Sequence, residues 1–317
     1  MPGTVSVEEI SYGGWPSCYQ LTNGIVDLVI TSDVGPRIIR FGFVGQPNEF
    51  KEYESMLGKT GGDEWRIYGG HRLWHAPESV PRTYWGDNWP VRFEQHPDFV
   101  RLVQPIEPTT GMEKEMDIHL ATGAAHVQVT HRLRNKNLWT VEFAPWALSV
   151  MAAGGTAIVP LPPRGTHPEV IQPLSTLALW AYTDMSDPRW TWGRKYVLLR
   201  QDDTAMTPQK AGAWVPDGWV AYVHSGHLFV KTFAPVPAAS YADLGCSTEV
   251  FTNAEMLELE TLGPLVRLQP DQMVEHAEHW FLLRAVPTPA SDLDVDRHVL
   301  PQVKRVLPQV ETPRAGA

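Results

Sequence analysis

The chain has 317 residues, with 26 Lys and Arg against 36 Asp and Glu, which gives a formal net charge of −10. An acidic chain without a basic block argues against nucleic acids and anionic membranes as partners. The sequence contains no apolar stretch of about 18 residues, so no membrane span is predicted. Cys18 and Cys246 are too few for a disulfide framework and form no zinc motif. The N-terminus lacks the features of a secretory signal, so a cytoplasmic location is expected.

Apolar and polar residues alternate with a period of two along much of the chain, which is typical of half-buried β-strands. In chain order, strands are predicted at 25–30, 37–43, 127–133, 195–200, 219–223, 227–233, 255–262 and 279–284. Ser225-Gly226 predicts a hairpin turn because glycine accepts a positive φ. Without interleaved helices, these strands predict an all-β fold of large antiparallel sheets.

Helical signals are few and short. Residues 50–57, which end before Gly58, allow one short helix. Residues 291–300 allow another, with Ser291 as its N-cap and Pro301 as its end. We therefore predict a single β-sandwich domain over residues 1–290, followed by a short helix and a C-terminal tail over 291–317.

The densest group of polar and aromatic residues occupies positions 68–88. Paired glycines and Pro77 predict a loop or an edge strand there, where side chains can line a ligand site. His71 and His75 are four residues apart, a spacing that chelates a metal on a helix. The glycine pair and Pro77 argue against a helix, so neither a metal nor a cofactor is predicted. The ligand-lining candidates of this stretch are His71, Arg72, Trp74, His75, Arg82, Trp85, Asp87 and Asn88.

A second candidate segment runs from residue 256 to 263. Strand alternation places Glu258 and Glu260 on one face and Leu259 and Thr261 on the other. This pattern fits either an acidic solvent face or a carboxylate base in a cleft, and the segment alone leaves both open.

Three further residues attract attention. Trp146 lies in a mostly apolar segment and is either core or a platform for a sugar ring. Arg37 lies in an apolar strand, so a carboxylate or a ligand must pair with it. Lys210 precedes Ala211-Gly212 and is expected to be a solvated loop lysine.

Three motifs together resemble the aldose 1-epimerase, or galactose mutarotase-like, superfamily. Residues 35–38, Gly-Pro-Arg-Ile, resemble its Gly-Ala-Arg-Ile strand, and residues 69–72 resemble its Gly-Gly segment with a following basic pair. Residues 259–261, Leu-Glu-Thr, resemble the strand that carries its catalytic glutamate. Within the superfamily the chain looks closest to the DUF4380 branch, through segments 34–40, 70–74 and 258–264, and the match spans roughly residues 15–285.

The resemblance implies a β-supersandwich with a carbohydrate cleft and an aldose epimerase activity. A base removes a proton from the sugar while an acid protonates the ring oxygen. Glu260 matches the family's base. Its two histidine positions fall at Tyr68 and near Trp146, so His71 or His75 is the candidate acid. We expect a small carbohydrate ligand, held by Arg37, Arg72, Trp74, Arg82, Trp85, Asp87, Asn88, Trp146 and Glu258.

Three alternatives stay open at this point. A non-catalytic sugar-binding module could use the same cleft, and it would lack a histidine close to Glu260. A polysaccharide lyase or hydrolase would use Tyr84 as base beside Arg82 or Arg72. A metal-dependent variant would need His71, His75 and a carboxylate to converge.

Overall fold

The computed structural model describes residues 4–307 and is built almost entirely of β-strands. The strands are β1 Ser6–Tyr12, β2 Trp15–Thr22, β3 Val26–Thr31, β4 Arg37–Phe43, β5 Gly70–Ala76, β6 Arg92–Gln95, β7 Val100–Val103, β8 Met112–Leu120, β9 His126–Asn135, β10 Val141–Met151, β11 Thr156–Pro160, β12 Leu177–Leu179, β13 Trp190–Trp192, β14 Tyr196–Arg200, β15 Gln209–Ala213, β16 Trp219–His224, β17 His227–Phe233, β18 Thr248–Thr252, β19 Leu257–Leu262, β20 Val266–Leu268 and β21 Met273–Arg284. Helical structure is confined, among these residues, to α1 Asp292–Asp294, a π-helix over Val295–Val299 and α2 Leu300–Val306.

The strands form two antiparallel sheets, which we name sheet A and sheet B. Sheet A has the order β1-β2-β3-β4-β5-β10-β19-β18-β15-β12, with β20 paired to β10. Sheet B has the order β13-β14-β11-β16-β17-β21-β9-β8-β7-β6. The predicted all-β fold of large antiparallel sheets is therefore confirmed.

The main hydrophobic core lies between the two sheets. Leu73 and Leu259 of sheet A and Phe229 and Trp280 of sheet B belong to it, and all four are buried. A second apolar cluster covers the outer face of sheet A around Trp74 and Trp146. The central strands β5, β10 and β19 of sheet A are therefore covered on both faces, and most polar side chains on either face of them lie in a buried environment.

The C-terminal helical segment covers the outer face of sheet B. Val295, Val299 and Val303 are fully buried against the strands. Ser291 caps the segment as predicted and accepts a hydrogen bond from the Asp294 amide. Pro301 was predicted to end the helix, but it lies in the first turn of α2 instead, where its missing N–H is not needed. The predicted tail at 308–317 lies outside the described residues.

Two further predictions were wrong for local reasons. Residues 50–57 form turns around Tyr53, because Phe50 and Glu52 make bridges to Met151 and Gly69 instead of helical bonds. Segment 70–76 is neither a loop nor an edge strand, since β5 is buried between β4 and β10. Its glycines and proline stand only at its ends.

The predicted strands at 37–43, 127–133 and 227–233 are present, and Ser225 and Gly226 both adopt positive φ in the predicted hairpin. No helix within residues 4–307 has the length and apolar character that a membrane crossing requires. Cys18 and Cys246 are both buried, and neither forms a disulfide.

Candidate ligand-binding site

Charged side chains form one row across the outer face of sheet A. Directly paired residues of neighbouring strands project to the same face of a sheet. Glu249 of β18 pairs with Glu260 of β19, which pairs with Leu148 of β10. Leu148 pairs in turn with Arg72 of β5, and Arg72 with Arg37 of β4. Two carboxylates and two guanidinium groups thus follow one another, with an apolar residue between the two signs.

Glu260 is fully buried at the centre of this row. Its Oε2 accepts a hydrogen bond of 2.8 Å from the indole Nε1 of Trp146 and one of 3.2 Å from Lys210 Nζ. Trp146 reaches it because residue 146 lies two positions along β10 from Leu148, on the same face. The predicted alternation of Glu258 and Glu260 is confirmed, and neither faces open solvent.

Lys210 joins the two carboxyl groups of Glu249 and Glu260. Its Nζ lies 2.8 Å from Glu249 Oε2, and it packs between the rings of Trp146 and Trp180, each 4.7 Å away. Burial alone would lower the pKa of Lys210, but the two carboxylates outweigh it and raise that pKa well above its usual value. Lys210 is therefore a buried ammonium ion, contrary to the expected solvated lysine.

The two carboxyl groups share this one positive charge. Burial raises the pKa of Glu249 well above its usual range, and the nearby Glu260 charge adds to the rise. Burial also raises the pKa of Glu260, although Lys210 and the Trp146 N–H oppose it. The pair therefore holds a proton more readily than exposed carboxylates do.

Arg72 occupies the other side of the row. Its Nη2 donates to Glu258 Oε1 at 2.9 Å, and its guanidinium lies over the Trp74 ring at 4.6 Å and the Trp65 ring at 5.8 Å. Arg72 is 2% exposed and Glu258 is 7% exposed. The predicted site residues Arg72, Trp74, Trp146, Glu258 and Glu260 are thus brought together on one face.

Several buried polar atoms of this face have no hydrogen-bond partner among the described residues. They are Arg72 Nε and Nη1, Glu260 Oε1 and Glu249 Oε1. Such groups are rare in folded proteins because each one costs free energy when it leaves water unpaired. Donors and acceptors are both available, which suits a ligand that carries both.

Aromatic residues from the loops pack beside the site. Tyr84 packs edge-on against Trp74 and Trp65 and donates to Glu78. Burial raises the pKa of Tyr182 to about 12, with Lys210 and Glu260 among the charges that act on it. Tyr84 and Arg72 thus both contact the Trp74 ring.

His71 and His75 project from the opposite face of β5, toward sheet B. His71 Nε2 lies 2.7 Å from His131 Nε2, and its Nδ1 lies 2.9 Å from Ser149 Oγ. The structure does not place either histidine beside Glu260, because residues 71 and 75 alternate with Arg72 and Trp74 along the strand. The predicted pairing of Glu260 with one of these histidines over a single ligand is therefore not formed.

His71 belongs to a buried network between the sheets, which we name the inner network. It comprises His71, Ser149, Thr261, Lys231, His131, His276, Glu278 and Trp280. Glu278 accepts from Lys231 Nζ at 3.0 Å and from Trp280 Nε1 at 2.8 Å, and Thr261 also donates to it. Thr261 Oγ1 lies 2.7 Å from His276 Nε2.

One assignment of protons satisfies all these contacts. His131 Nδ1 donates to the His276 carbonyl at 2.9 Å, so its Nε2 accepts from His71 Nε2–H, and His71 Nδ1 accepts from Ser149. Burial lowers the pKa of His71 and His131, and that of His276 to about 3, so all three are neutral.

Ligand atoms of His71, His131 and Glu278 lie within 4.8 Å of one another, as a metal site requires. The donor set does not fit a metal, because the two histidine nitrogens bind each other and the Lys231 ammonium already neutralises Glu278. His75 lies elsewhere, 3.5 Å from Glu107 Oε2, so the convergence of His71 and His75 that the metal-dependent alternative requires is absent from the described residues.

The remaining predicted residues have partners outside the group around Glu260. Arg37 Nη2 binds Asp87 at 2.7 Å, which supplies the carboxylate partner that its burial requires. Asn88 Nδ2 donates hydrogen bonds to the carbonyl oxygens of Gly62 at 2.9 Å and Glu64 at 2.7 Å. Arg82 lies over the Phe143 ring at 4.5 Å. Trp85 lines a separate cavity with Asp87.

Solved structures with similar folds were found by comparison. A protein from Synechocystis sp. PCC 6803 aligns at 11% identity with a TM-score of 0.58, over 87% of this chain and 99% of its own. A galactose mutarotase-related enzyme from Lactobacillus acidophilus aligns at 10% identity with a TM-score of 0.53, over 86% and 99%. A galactose mutarotase-like protein from Clostridium acetobutylicum aligns at 8% identity with a TM-score of 0.54, over 88% and 99%. The chain has the galactose mutarotase-like fold.

At these identities the likeness establishes the fold and nothing finer. No family model and no curated protein matches the chain, so its assignment to the DUF4380 branch stays a prediction. Trp146 donates its N–H to Glu260.

Sequence reasoning missed Lys210 and Glu249. The signal for Lys210 was present, since residues 209–213 read Gln-Lys-Ala-Gly-Ala and a lysine among small apolar residues of a strand must find a partner. Glu249 stands in Thr-Glu-Val-Phe-Thr of β18, where alternation alone cannot distinguish a site face from a solvent face.

Proposed function

We propose that this chain binds a sugar-like ligand on the outer face of sheet A and interconverts its anomers. The observation that carries the proposal is the set of unpaired buried atoms on Arg72, Glu249 and Glu260. A sugar hydroxyl both donates and accepts, so a ring with several hydroxyls can pair with the guanidinium and the carboxyl groups together. The rings of Trp65, Trp74 and Trp180 offer apolar faces to the sugar ring.

Glu260 serves as the base in this proposal. It takes the proton of the anomeric hydroxyl, the C1–O1 double bond forms, and the bond between C1 and the ring oxygen breaks. The ring oxygen must receive a proton at the same time. Rotation about C1–C2 and the reverse sequence then close the ring on the other face of C1, so both carboxyl groups regain their starting states.

Glu249 supplies the second proton. The predicted acids His71 and His75 project into the interior, so the acid comes from the outer face. Glu249 pairs with Glu260 across the strands, both contact Lys210, and burial raises the pKa of both carboxyl groups. Two neighbouring carboxyl groups that share one proton are a recurring arrangement for acid and base roles.

Anomer exchange measured by NMR on a panel of aldoses tests the proposal. Glu260→Gln should remove catalysed exchange, with a rate loss of at least about 100-fold, while binding is retained. Glu142→Gln, at the exposed start of β10, is the matched control and should leave exchange unchanged.

Each other result has a defined meaning. Binding of an aldose without catalysed exchange would refute the isomerase and favour the non-catalytic sugar-binding module, which lacks a histidine beside Glu260. Failure of every aldose to bind would refute the sugar site itself.

A further inference from the structure

A cavity of about 250 Å³ has a lining that includes none of the residues of the Glu260 row. It is bounded by the segment after β5 and the connection between β7 and β8. The side chains that the argument uses are Asp63, Trp85, Asp87, Trp89, Gln104 and Ile106. None of these residues contacts Glu260, Lys210 or Arg72 by a described hydrogen bond or ion pair, so the cavity is a second site.

The first sign of a ligand is an unpaired acceptor. Gln104 is 5% exposed, and its Oε1 has no hydrogen-bond partner among residues 4–307. The backbone of Gln104 is fixed, since its amide donates to the Lys114 carbonyl at 2.9 Å. A buried amide oxygen on a rigid support favours a ligand that brings an N–H or O–H donor.

The charge of the lining is negative. Asp87 is held at 2.7 Å by Arg37, which approaches from the sheet and does not line the cavity. Asp63 adds an exposed carboxylate, and the lining described for this cavity contains neither lysine nor arginine. Two carboxylates and an amide oxygen therefore offer acceptors. Arg37 balances the charge of Asp87, so Asp63 supplies the net negative charge that favours a cationic ligand over a neutral or anionic one.

The rest of the lining is aromatic and apolar. Trp89 is 47% exposed and Ile106 is 48% exposed, so large apolar surfaces remain open beside the acidic groups. The indole face attracts a cation through its quadrupole and also covers a hydrocarbon skeleton. Trp85 supplies a second indole.

We propose that this cavity binds a small primary amine in its ammonium form, with an N–H directed to Gln104 Oε1. A quaternary ammonium would satisfy the indoles and carboxylates but would leave Gln104 without a donor. A neutral polyol would not use the negative charge. This proposal is independent of the function proposed for the outer face of sheet A around Glu260.

The test compares three probes of one shape: cyclohexylamine, cyclohexanol and cyclohexanecarboxylate. Binding to the full chain is followed by NMR through the indole N–H signals of Trp85 and Trp89. Cyclohexylamine should bind about tenfold or more tighter than cyclohexanol, and the carboxylate weakest. Equal affinity for the amine and the alcohol, or no binding of the amine, would overturn the proposal.

Variants at the exposed positions locate the site. Trp89→Ala and Asp63→Asn should each weaken cyclohexylamine binding by about threefold to tenfold. Trp139→Ala, at an indole that is 64% exposed on another loop, should not change it. Gln104→Leu removes the unpaired acceptor and should abolish the preference for cyclohexylamine over its N,N,N-trimethyl derivative. Unchanged binding in all three site variants would place the amine elsewhere and refute the assignment.

Discussion

The inner and outer faces of strands β5, β10 and β19 lie beside similar polar residues in opposite states, and on the inner face sheet B supplies most of these residues. On the inner face, Trp280 donates to Glu278 at 2.8 Å, and Lys231 and Thr261 complete the carboxylate's partners. On the outer face, Trp146 donates to Glu260 at the same 2.8 Å, but Glu260 Oε1 remains unpaired. One carboxylate is fully satisfied by protein groups and the other is not.

This difference separates structure from recognition. A buried polar network that satisfies all its members fixes the packing of the two sheets and has no capacity left for a ligand. Unpaired donors and acceptors on Arg72, Glu249 and Glu260 cost stability in the free protein, and a ligand can repay that cost. Burial and residue type alone would have ranked both faces as equal candidates.

The sharpest test of the comparison removes one charge from each face. Lys231→Met leaves the Glu278 carboxylate buried without its cation, so we expect the free energy of unfolding to fall by about 3–5 kcal/mol. Glu260→Gln keeps the shape and removes an incompletely paired charge, so we expect a change within about 1 kcal/mol. Urea unfolding measures both.

The double variant Lys231→Met/Glu278→Leu controls for packing and should recover much of the loss, because it leaves no unpaired charge. A loss for Glu260→Gln as large as that for Lys231→Met would contradict the division between the faces.

The pH dependence of stability should have opposite signs on the two faces. The pKa of His276 is lowered to about 3, below its value of about 6.5 in an unfolded chain. Its contribution is therefore complete above pH of about 6.5 and is lost as the pH falls toward 3, with a slope of up to about 1.4 kcal/mol per pH unit. His276→Gln should flatten this acid loss.

Glu249 behaves in the reverse sense. Its pKa is raised, so its contribution is complete below its unfolded pKa of about 4.3 and is lost as the pH rises. Glu249→Gln should remove a decline in stability that begins above about pH 4.3. Equal pH profiles for Glu249→Gln and the unmodified protein would show that Glu249 is ionised normally. Unfolding free energies measured from pH 4 to pH 8 decide both cases.

The two indole donors should differ in what they affect. Trp146→Phe removes the N–H that lowers the pKa of Glu260, so the pH midpoint of aldose binding should move upward by about one unit. Trp280→Phe removes the matching donor of Glu278 and should lower stability by about 1.5–3 kcal/mol without changing that midpoint. A shift of the binding midpoint by Trp280→Phe would mean that the faces are coupled through β19.

The sequence predicted the fold class and the strand alternation well, because both depend on local periodicity. The placement of Glu258 opposite Thr261 is an example, since a strand allows only two faces. The same rule separates His71 from Arg72 once β5 is known to be a strand. In the sequence, however, Gly69, Gly70 and Pro77 favour a loop, and the structure shows that these residues only mark the ends of β5.

The sequence by itself therefore determined an antiparallel β protein and the polar residues from which a site could be built. Only the tertiary structure decided which face of each strand meets a second sheet and which meets the loops. That choice paired His71 with His131 and Glu260 with Lys210, which are separated by 60 and 50 positions in the chain. Partners so far apart are set by strand order, and strand order depends on how the whole sheet packs, which no local pattern encodes.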